Sequence, residues 1–283
     1  MIGSKKIKIY FVNDRNIKID PTHAVVSCDD TSFYQHYWPV VKKCWQRIGI
    51  IPIRVMVRKD WFKPHIIRED NSILVFLPCG NKYSTSTYAQ FARLWYLASE
   101  YPDENDVIIT SDMDMLPVSK NKLITQFKHI PNNEYVYFDN VDYFYPGNSP
   151  KRLSMCYNIS TAKTYNKLFS NTLHHNRFVD DVNDIVDFEI SKDPDVWRAD
   201  EHYLTRMALN NDIVIIQRKI GKNGYRPDRL EGRDRFQYDN KELNIPPYID
   251  RLKSDEIIDI HCKRPYDDNI DHIKSLVNII FNL

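Results

Sequence analysis

The chain has 283 residues, 42% of them hydrophobic, which supports a sizeable core and argues against a disordered chain. Net charge is +1, with 39 Lys and Arg against 38 Asp and Glu and no basic stripe, so a nucleic-acid-binding surface is excluded. Cys28, Cys44, Cys79, Cys156 and Cys262 are odd in number and contain no C-x-x-C pair, so free thiols are expected rather than a disulfide framework or a zinc site.

Ala24–Cys28 reads as a short buried strand. Tyr34, Tyr37, Trp38, Val41, Trp45 and Ile48 then recur at helical spacing, with Pro39 in the first turn or at a kink. Ile51–Val57 and Ile73–Leu77 are the next strands. Helix Ser86–Ser99 follows, with Tyr88, Phe91, Ala92 and Trp95 on one face, and then strand Val107–Thr110. This βαβαβ order predicts an α/β fold with a mostly parallel sheet and helices on both faces. Further on, Tyr135–Asp139, Leu153–Tyr157 and Ile213–Gln217 read as strands, and Thr161–Phe169 and Asp200–Leu209 as helices. Asn223–Asn240 is polar and reads as a loop. Ile270, Ile273, Val277 and Ile280 mark a closing amphipathic helix. The C-terminal half is thus irregular. Ligands of open α/β sheets sit beyond the carboxyl ends of strands, near the point where strand order reverses. The loops after Cys28, Val57 and Thr110 are therefore the places to expect a site.

The sequence shows no signal peptide and no run near the ~18 apolar residues of a membrane span. A cytoplasmic protein, or a chain trimmed of its anchor, is expected. The sequon Asn158-Ile159-Ser160 is at the level of chance, and His174-His175 reads as surface.

No G-x-G-x-x-G and no G-x-x-x-x-G-K-[ST] occurs, and the chain has only 7 glycines. A nucleotide would have to be met by means other than a glycine-rich loop, and a metal ion is the obvious substitute. Val107–Met115 (VIITSDMDM) carries Asp112 and Asp114 straight after an apolar strand. In extended chain, positions i and i+2 point to one side. Two carboxylates brought together there repel unless they share a cation. Such an oxygen-rich pair suits Mn²⁺ or Mg²⁺, and the ion would absorb charge as a diphosphate departs. The bland alternative is a polar turn at a strand end.

The Asp112–Asp114 segment resembles the D-x-D motif of GT-A fold glycosyltransferases, and the order of elements from Ala24 to His261 is similar to theirs. It is also similar to compact glycosyltransferases of large algal DNA viruses. The resemblance implies one GT-A-like domain over 1–283, with a nucleotide-binding half at 20–118 and an acceptor and sugar half at 119–283. It implies a nucleotide-sugar donor, most often a UDP-sugar, a glycan or glycoprotein acceptor, and Mn²⁺ (or Mg²⁺) held by Asp112 and Asp114.

It also assigns roles to other residues. Arg93 on helix Ser86–Ser99 reaches the donor's phosphate or sugar, or else is a solvated surface arginine. The loop Ser27-Cys28-Asp29-Asp30-Thr31 holds base and ribose, with Ser27 and Asp29 as contacts; Asp30 or Thr31 as a helix cap is the alternative. Arg58 borders the base. Trp197–Leu204 (WRADEHYL) is similar to a W-x-x-D-E-x-x-L segment in which an acidic residue faces the acceptor. Asp200 and Glu201 are equal candidates for that role, against plain stabilisation of a helix dipole. His261-Cys262-Lys263-Arg264-Pro265 implies that His261 completes the metal shell and that Lys263 meets the phosphates; its spacing departs from the longer H-x-x-G-x-x-K-P form. Phe138–Asp142 carries a weak signal for sugar or acceptor.

Two other readings compete. A metal-dependent sugar nucleotidyltransferase or phosphodiesterase would also use paired aspartates, but the acidic loop with Asp29 and Asp30 disfavours a triphosphate. A non-catalytic carbohydrate-binding protein of the same fold would show no metal-dependent turnover.

Overall fold

The computed structural model describes residues 9–11, 21–99, 103–119, 121, 134–139, 153–211, 213–219, 246–254 and 257–282. The expected loop Asn223–Asn240 lies outside them.

Nine strands form the main sheet: β1 (Ile9–Phe11), β2 (His23–Asp29), β3 (Ile51–Arg58), β4 (His65–Glu69), β5 (Ser72–Pro78), β6 (Val107–Ser111), β8 (Glu134–Asp139), β9 (Tyr157–Thr161) and β10 (Val214–Lys219). Two short strands, β7 (Met115–Pro117) and β11 (Asp259–His261), make a separate ribbon. The helices are α1 (Trp38–Arg47), α2 (Thr85–Ser99), α3 (Ala162–Phe169), α4 (Phe178–Ile190), α5 (Ala199–Asn210), α6 (Pro246–Lys253) and α7 (Ile270–Phe281). The sheet order is β1-β10-β8-β9-β6-β2-β3-β5-β4. β2 lies parallel to both β3 and β6, β3 is parallel to β5, and β10 is parallel to both β1 and β8. β9 runs antiparallel to β6 and β8, and β4 antiparallel to β5. The expected mostly parallel α/β sheet is thus the fold observed.

Alternation along β2 divides the core in two. Ala24, Val26 and Cys28 join the layer with α1 and α7, where Trp45, Ile273 and Leu276 are buried. Val25 joins the opposite layer, with Ile53, Val55 and the α2 residues Phe91 and Trp95. Burying one such large side chain contributes roughly 1.5–3 kcal/mol. Pro39 sits in the first turn of α1, where its missing N–H costs nothing. Gly49 ends that helix at φ 74°, a left-handed conformation that strains residues with a Cβ. Its N–H donates to the Gln46 carbonyl at 2.9 Å, and the Ile50 N–H reaches Trp45 at 3.1 Å.

Several elements depart from the sequence reading. β9 lies four residues beyond the expected Leu153–Tyr157. Its polar residues are buried, because Asn158 pairs with Thr110 on β6 and bonds that hydroxyl at 3.3 Å. The same burial removes the sequon from solvent. Helix α4 was not foreseen; its Phe178, Val182, Ile185 and Val186 are buried among interleaved aspartates. The edge strand β4, the helix α6 and the β7–β11 ribbon also went unseen. The five cysteines are free thiols, as expected. Among the described residues no helix is long and apolar enough to cross a membrane.

Candidate metal centre

Strand order reverses around β2, which has β3 on one side and β6 on the other. A cleft of about 290 Å³ opens there, at the carboxyl ends of β2 and β6. Its lining includes Ser27 and Asp29 from β2, Asp112 and Asp114 after β6, and Asp200 and Glu201 from α5. The loop after β3, the third place expected, does not line it.

Asp112 and Asp114 do not converge by extended-strand alternation. β6 ends at Ser111, and the Met115 N–H closes a turn onto the Asp112 carbonyl at 3.3 Å. The chain then enters β7, which pairs antiparallel with β11 so that Met115 faces His261. The Cys262 N–H donates to the Asp114 carbonyl at 2.8 Å, and the Val118 N–H to the Ile258 carbonyl at 2.7 Å. This ribbon carries His261 across a long stretch of sequence to the aspartates. His261 Nε2 lies 3.3 Å from Asp114 Oδ1. One ligand atom from each of Asp112, Asp114 and His261 lies within 4.8 Å of the other two. Asp114 and His261 are buried, while Asp112 is partly open to the cleft. Two carboxylate oxygens and one imidazole nitrogen form a donor set that fits Mn²⁺ or Mg²⁺ and leaves coordination positions for ligand oxygens.

Arg93 on α2 binds the two acidic segments together. Its Nη1 donates to Asp112 Oδ1 at 2.7 Å and to the Ser111 carbonyl at 3.3 Å, and Nη2 donates to Asp200 Oδ2 at 3.3 Å. Burial works against the guanidinium's charge, but Asp112 and Asp200 outweigh it and raise its pKa. Burial likewise pushes the Asp200 carboxyl up, against the pull of Arg93. The other Asp200 oxygen accepts the Glu201 N–H at 2.9 Å. Arg93 is therefore neither a surface arginine nor an unengaged cation: protein carboxylates hold it. Glu201 is more open than Asp200, and its Oε1 accepts the Met155 N–H at 3.3 Å.

Other expected residues divide. Ser27 and Asp29 line the cleft, but the Asp29 carboxylate also ties loops together. Oδ1 accepts from the Thr31 hydroxyl at 2.6 Å and Oδ2 from the Thr85 hydroxyl at 2.7 Å. Arg58 lies outside the lining and forms a two-pronged pair with Asp60 at 2.8 and 2.6 Å. Lys263 also lies outside; its carbonyl accepts the Tyr37 hydroxyl. The next residue, Arg264, lines the cleft instead. It donates to the Tyr34 hydroxyl, and its guanidinium carbon lies 5.7 and 5.6 Å from the Phe33 and Tyr34 ring centres. Among the described residues it has no carboxylate partner, unlike Arg93 and Arg198. Sequence reasoning missed Arg264, although its place beside Lys263 was the available signal. The Cys28 thiol at the cleft is pushed up to about 12 by burial, so it is a poor nucleophile. His174 pairs with Asp181 at 3.0 Å and His175 stacks on Trp95, both outside the lining. Phe138 and Asp139 end β8, and 140–142 lie outside the described residues.

No protein-family model matches the sequence, and no curated protein does. Among solved structures the chain is similar to the glycosyltransferase GlyE of Streptococcus pneumoniae TIGR4, at TM-score 0.41 and 12% identity, over 70% of this chain and 45% of that one. It is similar to the catalytic domain of Drosophila beta1,4galactosyltransferase 7, in complex with xylobiose, at TM-score 0.38 and 8% identity, over 70% and 65%. It is also similar to the bifunctional glycosyltransferase WbbM at TM-score 0.42 and 13% identity, over 96% and 53%. The chain thus spans about half the length of the GlyE and WbbM structures. All three neighbours are glycosyltransferases. At these scores and identities the likeness carries no argument about activity.

Proposed function

We propose that the chain is a metal-dependent glycosyltransferase that moves a hexose or pentose from a nucleotide-diphosphate sugar, with a UDP-sugar favoured, to a glycan or glycoprotein acceptor. The observation that carries this reading is the meeting of Asp112, Asp114 and His261 at the strand-order reversal, where both aspartates line the cleft and buried His261 stands behind them. Those three residues would hold Mn²⁺ or Mg²⁺, which when bound supplies Lewis-acid stabilisation of the departing diphosphate. Arg264, the cleft cation without a carboxylate partner among the described residues, faces the same anion and replaces Lys263 in that role. Ser27 and Asp29 form the wall for ribose and base. Arg93 fixes the rotamers of Asp112 and Asp200, so Asp200 is a positioning residue. Glu201, the more accessible of the α5 acids, is the residue for the acceptor hydroxyl and takes its proton as that oxygen attacks the anomeric carbon.

A panel of nucleotide-sugars, assayed for transfer and slow donor hydrolysis with Mn²⁺ and with a chelator, tests this reading. Turnover of one donor that needs the ion and vanishes in Asp114→Ala supports it. Ion-independent turnover, or none across the panel, removes it.

A further inference from the structure

Phe62 is the most exposed large hydrophobic residue described, at 93% exposure. It lies in the loop that leaves β3 at the carboxyl edge of the sheet, where Asp29 of β2 registers with Val57 of β3. The cleft therefore opens at the same edge. The loop's base is fixed in place. The Trp61 N–H closes a turn onto the Arg58 carbonyl at 3.4 Å, and the Trp61 ring packs on Phe76 at 5.3 Å. The Arg58 guanidinium lies 5.7 Å from the same ring and is neutralised by Asp60. Phe62 is thus held out from an anchored base. Exposed Lys59 and Lys63 flank it, and neither has an acidic partner among the described residues. The tip accordingly presents one aromatic ring between two unopposed ammonium groups.

That chemistry fits one partner class. An aromatic ring favours the water–hydrocarbon boundary of a bilayer, and lysines beside it are attracted to anionic headgroups. We infer that the Lys59–Lys63 loop docks the protein on an anionic lipid surface, with the cleft edge turned toward that surface. The inference rests on neither the metal centre nor the donor, so it stands or falls apart from the proposed activity.

Flotation of the full chain with vesicles tests it, comparing pure phosphatidylcholine with phosphatidylcholine containing about one-third phosphatidylglycerol. The wild-type chain floats with the anionic vesicles and not with the neutral ones, and added salt releases it. Phe62→Ser and the double variant Lys59→Glu/Lys63→Glu each lower anionic-vesicle affinity by about tenfold or more. Unchanged circular dichroism in these exposed-loop variants shows that folding is not the cause. A wild-type chain that ignores anionic vesicles, or a Phe62→Ser variant that floats equally well, overturns the inference; a glycan or protein partner for the loop gives the first of these results.

Discussion

An aspartate and histidine group stands at each end of β2 and β6, and the two groups differ in kind. At the amino ends, the Thr22 hydroxyl lies 2.8 Å from His23 Nδ1 and donates to Asp106 Oδ1 at 3.1 Å and the Val107 carbonyl at 3.2 Å. His23 Nδ1 is 3.8 Å from Asp106 Oδ2. On paper this is a hydroxyl, an imidazole and a carboxylate, the makings of nucleophilic catalysis. Yet the hydroxyl proton is directed at acceptors that stitch β2 to β6, and the cleft opens at the other end of the strands. At the carboxyl ends, the β7–β11 ribbon brings His261 to Asp112 and Asp114, and both aspartates line a cavity. Residue types alone do not separate a structural knot from a site. The separation comes from a ligand-sized cavity and from like-charged groups gathered at a cost that a cation would offset.

Substitutions at the two ends should therefore behave differently. Asp114→Ala is expected to lower metal-dependent turnover by roughly a thousandfold, beyond the 10–100-fold typical of losing an outer hydrogen-bond partner of a metal ligand. Asp106→Asn, the matching change at the other end, should leave turnover within about twofold and cost only about 1 kcal/mol of stability in urea unfolding. Equal losses of turnover in the two variants would erase the distinction.

Next in size is Arg93→Met, which leaves buried Asp200 and the partly open Asp112 without their cation. Urea unfolding should show a loss of about 3–5 kcal/mol, the cost of breaking a buried ion pair from one side. Arg264→Ala should spare the fold and raise the donor KM by about 10–100-fold, the worth of a charge-assisted contact. A variant with unchanged KM would return the phosphate role to Lys263.

The smallest effect concerns His23. Burial, opposed by Asp106, lowers its pKa below the ordinary 6.5. As pH falls below that value the unfolded chain takes up the proton first, so stability declines. His23→Gln should flatten this slope in thermal unfolding followed from neutral to mildly acidic pH, without touching turnover at neutral pH.

The sheet was legible because its parallel central strands are buried on both faces and read as apolar runs, as Ala24–Cys28 and Ile51–Val57 do. β9 was misplaced because Asn158 and Ser160 are polar residues buried in a strand, and the bond of Asn158 to Thr110 on β6 is absent from local pattern. Helix α4 was hidden by aspartates that are weak helix formers. Asp112 and Asp114 could be found from position alone, although a turn, and not strand alternation, brings them together. His261 was reachable only through resemblance, since ribbon strands of three residues have no periodicity to read. The Arg93 bridge and the choice of Arg264 over Lys263 depend on long-range packing that no sequence window contains.

Titration calorimetry of Mn²⁺ into the wild-type chain and into Asp114→Ala and His261→Ala, with no donor present, tests the metal centre without reference to turnover. One ion per wild-type chain is expected, with weakened binding in His261→Ala and none in Asp114→Ala. A wild-type chain that binds no ion, or an Asp114→Ala variant that binds as tightly, contradicts the account.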